Sequence, residues 1–253
     1  MPLSYWKSTL IGIALLLSCY SEAEAVTPQI KATQHRPQNG ITINYKSQKQ
    51  LAEKHKREVY NKYKNMSIQE LIEYVKDPKQ VQGYFYYYLR PDYDKEVYAI
   101  KIGEFIYKPE NFVAPFKLVH EKGRDDCDGY AVAAAALLSD NGYGQDLLYL
   151  YSTNTKVEKA HIVYLYKQGE YYRVNSQSNE ERSIKSKTLD ELTSMLFKFH
   201  YKHKFDSFVV VSLPDRKQID WINGGYYVGL KLTRYLDEEI GKAEKLKSIK
   251  KDG

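Results

Sequence analysis

The chain has 253 residues, 43% hydrophobic and 28% charged, with a formal net charge of +6. That length bounds it to one sizeable core or a core plus a small appendage, and that composition excludes a largely disordered chain. The basic excess favours anionic surfaces in general, but no basic stripe interleaved with aromatics points to a nucleic-acid partner. Tyrosine is frequent, at 25 residues. An apolar ring with a polar tip suits half-buried strands; a sugar-stacking surface is the second reading of the same composition.

Residues 1–25 read as a targeting segment. Lys7 precedes the apolar run Leu10-Ile11-Gly12-Ile13-Ala14-Leu15-Leu16-Leu17, and Ala23-Glu24-Ala25 offers small residues for signal peptidase. The run is too short for a stable membrane span. Leu16-Leu17-Ser18-Cys19 also resembles a bacterial lipobox, which would make residues 1–18 the signal and a lipidated Cys19 the membrane tether. Both readings predict export, to the periplasm, the medium or a lipid anchor in the envelope. Loss of residues 1–25 removes one lysine and two glutamates, so the net charge becomes +7. The only cysteines are Cys19 and Cys127, so Cys127 has no intramolecular partner in the mature chain. A lone thiol in an exported protein stands out.

Residues 26–48 are polar and aperiodic, with Pro28, Pro37 and Gly40, and read as a tether. A charge-rich helix is predicted over 49–64. Ser67-Ile68-Gln69-Glu70 is a capping box opening a helix to about residue 76. Residues 83–89 fit helix or strand, and 96–107 lean to strand. Pro109 begins a loop, and Gly123-Arg124-Asp125-Asp126 breaks the chain. Residues 127–140 then read as a central helix, because Ala133 to Ala136 combine high helix propensity with close approach. Asp125 or Asp126 is its N-cap, and Asn141-Gly142 ends it.

Strands follow at 147–151, 161–167 and 170–174, the last two joined at Gln168-Gly169. Thr188-Leu189-Asp190-Glu191 is a second capping box, for a helix to about residue 199. A buried strand is predicted at 208–213 and a turn at Asn223-Gly224-Gly225. Residues 226–232 alternate like a strand, and 232–249 carry helical spacing. The order gives an α+β fold: an N-terminal arm with helices at 26–80, a main domain at 81–214 and a helical extension at 215–253.

Chemistry concentrates on Cys127. A helix N-terminus carries partial positive charge and free N–H groups, which favour a thiolate and can hold an oxyanion. Asp125, Asp126 and Asp128 oppose this through their charge. A three-residue turn centred on Gln168 would pair His161 with Asn175, each seven positions from the centre. Opposed residues share a sheet face with Cβ atoms about 5 Å apart. His161 would then be the base and Asn175 its orienter. A two-residue turn would put Ser176 opposite His161 instead. His200, His203 and Asp206 have loose metal-ligand spacing, but a solvated helix end explains them.

Gly123-Arg124-Asp125-Asp126-Cys127-Asp128-Gly129-Tyr130-Ala131 resembles the cysteine motif of transglutaminase-like proteins, within the papain-like group. The strand opening at His161 and the polar Asn175 ending the next strand follow that family's order. The similarity spans roughly residues 107–214. It departs from the family at Asn175, where aspartate is usual, and at Arg124, which interrupts the common Gly-Asp-Cys. The resemblance implies a papain-like α+β core, acyl transfer through a thioester on Cys127, a peptide or protein substrate, and no metal or organic cofactor. Hydrolysis, as in a peptidase or amidase, is favoured over transamidation. A polar group well upstream supplies the oxyanion donor in the wider group, which makes Gln82 and Tyr84 candidates here. The alternative is a catalytically degenerate member that serves as a binding module of the cell envelope.

Overall fold

The computed structural model describes residues 45–92, 100–102, 105–107, 112–153, 160–176, 183–200 and 204–251. The targeting segment, Cys19 and the tether at 26–44 lie outside the described residues, as do Pro109 and the start of the strand expected from residue 96. Residues from Lys46 onward form one unit. It is a mixed helix-and-sheet fold with a five-stranded antiparallel sheet, as the α+β reading requires.

Three helices come first: α1 (Tyr45–Asn65), α2 (Ile68–Tyr74) and α3 (Pro78–Tyr87). The capping box on α2 forms as the sequence predicts, Ser67 Oγ accepting from the Glu70 N–H while Glu70 accepts from the Ser67 N–H. Asp77 caps α3, and Pro78 occupies its first turn, where the missing N–H costs nothing. That settles the helix-or-strand ambiguity over 83–89 in favour of helix up to Tyr87.

Next come four short strands and two helices. β1 (Arg90–Pro91) pairs in parallel with β4 (Arg124–Asp125), and β2 (Ile100–Ile102) pairs with β3 (Phe105–Tyr107). Between them lies α4 (Phe116–Lys122), closed by Gly123 at φ 65 in the left-handed region that glycine tolerates. The central helix α5 (Cys127–Leu138) follows, capped by Asp126 and continued by a short 3₁₀ turn at Ser139–Asn141. From Gly129 to Leu138 every residue of α5 is buried. A helix apolar all round belongs inside a core.

The main sheet has the order β8-β7-β6-β5-β9. Its strands are β5 (Asp146–Tyr151), β6 (Ala160–Gln168), β7 (Tyr171–Asn175), β8 (Lys185–Ser186) and β9 (Ser207–Ser212). Alternation sorts its residues into two apolar clusters. Leu147, Tyr164, Tyr166 and Val211 pack with α5 and the N-terminal helices. Leu148, Leu150, Val163 and Leu165 pack on the other face with Leu192, Leu196 and Phe205. Leu192 lies on α6 (Leu189–Met195), which runs into a π turn at Leu196–His200.

Four expectations change. Glu191 does not close a capping box with Thr188; Thr188 caps the Glu191 N–H, but the Glu191 carboxylate bonds the Ser186 hydroxyl. The stretch after Pro109, expected to begin as a loop or short turn, contains α4 at 116–122. Residues 226–232, read as a strand, open the long helix α7 (Tyr226–Lys251). Finally, the core does not divide at residue 80 or 214: Tyr63, Leu71, Val75, Trp221, Leu232 and Leu236 all join the cluster that covers α5.

Candidate functional site

Cys127 is the first residue of α5 and is half-buried. The backbone N–H groups of Ile162 and of Cys127 itself favour its thiolate. The larger influences act the other way. Burial, then the charges of Asp128 and Asp126, push the thiol well above its ordinary range. The thiol is therefore protonated at neutral pH.

The loop before it is tightly built. The Asp126 N–H donates to Asp125 Oδ1 at 2.9 Å, and the Asp128 N–H donates to Asp126 Oδ1 at 3.3 Å. Lys122 Nζ lies 3.7 Å from Asp125 Oδ2. Asp128 is pushed well above the carboxylate range by burial, by its hydrogen bond with Asp126 and by neighbouring negative charge. Gly129 leaves room for the Asp125 side chain, since a Cβ there would lie 2.3 Å from Asp125 Cγ. Asp125, Asp126 and Asp128 are the only group of three His, Cys, Asp or Glu ligands close enough for a metal among the described residues. Their oxygens are engaged by Lys122, by backbone N–H groups and by each other. The His200 side chain and His203 lie outside the described residues, and both Asp206 oxygens accept from Thr153.

The hairpin register corrects the predicted pairing. Gln168 opposes Tyr171, so the loop is the two-residue Gly169-Glu170, with Gly169 at φ 61. Asn175 opposes Tyr164, not His161. Ser176, the alternative orienter, does not oppose His161 either, because β7 ends at Asn175. The difference arises because the position and the length of the turn together set the register: the loop starts two residues later than the predicted three-residue turn and is one residue shorter. His161 opposes Leu150, which opposes Phe208 on β9. All three share the face turned away from α5, and the His161 ring stacks on Phe205 at 6.4 Å between centroids.

Cys127 and His161 are thus close in the chain path but not face to face. Ile162, whose N–H favours the thiolate, follows His161 in the chain and lies two residues before Tyr164, where the pairing of β6 with β7 begins.

Asn175 is fully buried and clasped from the other side. Gln82 Nε2 donates to Asn175 Oδ1 and to the Ser176 carbonyl, the latter at 3.1 Å. Asn175 Nδ2 donates to the Pro78 carbonyl at 3.2 Å. Gln82 therefore fastens α3 to the end of β7. Tyr84, the other oxyanion candidate, is fully buried, with its hydroxyl 3.1 Å from His120 Nδ1. Sequence reasoning missed His120, whose Nε2 meets the Met66 carbonyl at 3.1 Å and whose burial holds its pKa below the usual imidazole value. The signal was a histidine on the apolar face of a short helix, with Phe116 and Val119.

No helix among the described residues is long and apolar enough to cross a membrane. No family model and no curated protein matches the chain.

Proposed function

We propose that the chain is an exported, transglutaminase-like protein that performs cysteine-dependent acyl transfer on a peptide or amide, with hydrolysis as the usual outcome. One observation carries this reading: Cys127 opens the buried central helix, and the backbone N–H of Ile162, the residue after His161, favours its thiolate. In the reaction the thiol gives its proton to His161. An S–C bond forms at the carbonyl carbon, the C–N bond breaks, and the amine leaves with the proton from His161. Water then attacks the thioester, its proton goes to His161, and the S–C bond breaks.

The described arrangement is a resting one. The thiol is protonated and the imidazole rests on Phe205. Reaction requires the ring to turn about its Cα–Cβ bond toward the edge of β6 that β7 leaves open. Asn175 takes no part, because its amide is committed to Gln82 and Pro78.

A second reading is favoured by that commitment and by the protonated thiol: the fold persists as a non-catalytic binding module. Alkylation by iodoacetamide separates the two. Acyl transfer predicts a pH-dependent rate at Cys127 that falls in His161→Ala, and an acyl adduct on Cys127 after incubation with a peptide library. A slow rate indifferent to His161, with no adduct, overturns it in favour of the binding module.

A further inference from the structure

A second feature, independent of the thiol chemistry, lies between α1, α3 and β1. There the chain encloses a cleft of about 840 Å³, within the range of small-ligand sites. Its floor is Phe85 against Tyr130, with ring centroids 4.7 Å apart, and the buried Tyr88 beside Tyr60 at 5.4 Å. Its wall is the edge-to-face pair Tyr86 and Tyr87, 4.9 Å apart, and Tyr86 is 60% exposed. Tyr86 is thus the most exposed ring of a cleft whose other rings are buried or half-buried, and it presents aromatic surface to a ligand.

Charge specifies the occupant further. Among the lining residues Lys56, Arg57 and Arg90 are cationic and only Glu53 is acidic, a balance of +2. Lys56 Nζ lies 6.0 Å from the Tyr86 ring centroid, and the Arg90 guanidinium lies 6.0 Å from that of Tyr60. Each cation thus lies over a ring at the outer limit of cation–π contact. A ligand lying on the ring would place an acid group within reach of the cation.

We propose that this cleft binds an acidic oligosaccharide, a chain of sugar rings carrying carboxylate or phosphate groups. The apolar C–H face of a sugar packs on a tyrosine ring, and its hydroxyls meet the tyrosine hydroxyls at the ring tips. Arginine's fork of donors matches carboxylate or phosphate. An acidic peptide fits less well. Peptide grooves commonly hold the main chain by adding a strand to an open sheet edge, and the only strand lining this cleft is the two-residue β1.

The cleft also meets the Cys127 loop. The Arg90 N–H donates to the Gly123 carbonyl at 3.0 Å, and the Asp92 N–H donates to the Asp125 carbonyl at 2.9 Å. The rim of the cleft and the residues just before Cys127 form one ladder.

Calorimetry on the full mature chain tests the proposal, with tetragalacturonate, phosphorylated maltotetraose, neutral maltotetraose and tetraglutamate as probes. At least one acidic sugar should bind, weakening as salt rises, and the stronger of the two identifies the acid group. Neutral maltotetraose should bind at least tenfold more weakly. Tyr86→Ala and Arg57→Ala change exposed side chains, so melting temperature should hold while acidic-sugar affinity falls at least tenfold in each. Absence of binding by both acidic sugars overturns the proposal. So does binding unaffected by Tyr86→Ala. Tetraglutamate binding as tightly as the better sugar overturns it in favour of an acidic peptide. None of these readouts depends on Cys127, so failure here leaves the acyl-transfer reading untouched.

Discussion

Gln82 and Asn175 are joined amide to amide across 93 positions of sequence, both buried. The bond ties the helix before β1 to the last residue of β7. Because both groups are out of water, removing Gln82 takes the partner of the buried Asn175 Oδ1, and removing Asn175 leaves Gln82 Nε2 only the Ser176 carbonyl, at about 1–3 kcal/mol. Asn175→Ala and Gln82→Ala should each lower unfolding free energy by that amount in urea titrations. The double variant should lose much less than the two losses added. Asn175→Asp should also destabilise, since a carboxylate cannot donate to the Pro78 carbonyl. Additive losses, or an Asn175→Asp variant as stable as the parent, would show that the clasp is not the unit described.

Gly129 is required by the space Asp125 fills. Gly129→Ala should cost about 1–3 kcal/mol, the usual range for overpacking, and should disturb the Cys127 loop. Asp125 Cβ would lie 2.5 Å from the new methyl group. Asp125→Ala should therefore fail to rescue Gly129→Ala, whereas Asp125→Gly should restore part of the stability. Thermal unfolding of the four variants decides it.

The thiol's reactivity depends on the paired carboxyls beside it. After burial, the charges of Asp128 and then Asp126 push the thiol up. Asp128→Asn and Asp126→Asn should each move the pH profile of iodoacetamide labelling to lower pH, Asp128→Asn by more, and the double variant should move it furthest. A double variant with the parent's profile would show that the two carboxyls do not govern the thiol.

His120 makes stability pH-dependent. Burial lowers its folded pKa below the ordinary 6.5, so the unfolded chain binds the proton first as pH falls. Its contribution is complete above about pH 6.5 and declines below it until the folded pKa is reached. Asp128, whose folded pKa is raised, acts with the opposite sign from about pH 4 upward, so the comparison must be between variants. Urea midpoints of the parent should fall more steeply than those of His120→Gln between pH 7.5 and 5. Parallel slopes would place the protonation elsewhere.

The central helix, its Asp126 cap and the strands on either side were legible because each carries a local signal: an alanine run, a capping acid, apolar runs bounded by glycine. The hairpin register was not, because it depends on a single residue in the loop. Had Gly169 been read as the first residue of a two-residue turn, the pairing of Asn175 with Tyr164 would have followed. The helix at Tyr226 was hidden by Val228, Leu230 and Leu232, which alternate as a strand would. What decides it is tertiary. A Cβ on Gly229 would lie 2.4 Å from the Phe112 ring, and Thr233 Oγ1 accepts from the Val113 N–H while donating to the Gly229 carbonyl. Helix α4 escaped because it is short and its N-cap, Pro115, makes no side-chain bond. The Gln82 clasp escaped because no local pattern joins residues so far apart.

The helix that begins at Cys127 also sets an order for synthesis. All ten of its residues from Gly129 are covered, and much of the cover comes later in the chain, from Leu147, Tyr164, Val211, Trp221 and Leu232. A nascent chain that has emerged only to residue 141 therefore carries a greasy rod covered by the N-terminal helices but not by the sheet or the terminal helix. Fragments ending there should precipitate or bind a chaperone, and solubility should return only when the last strand and the terminal helix are included. For a chain carried across a membrane unfolded, the same dependence would delay formation of the thiol's surroundings until translocation is nearly complete.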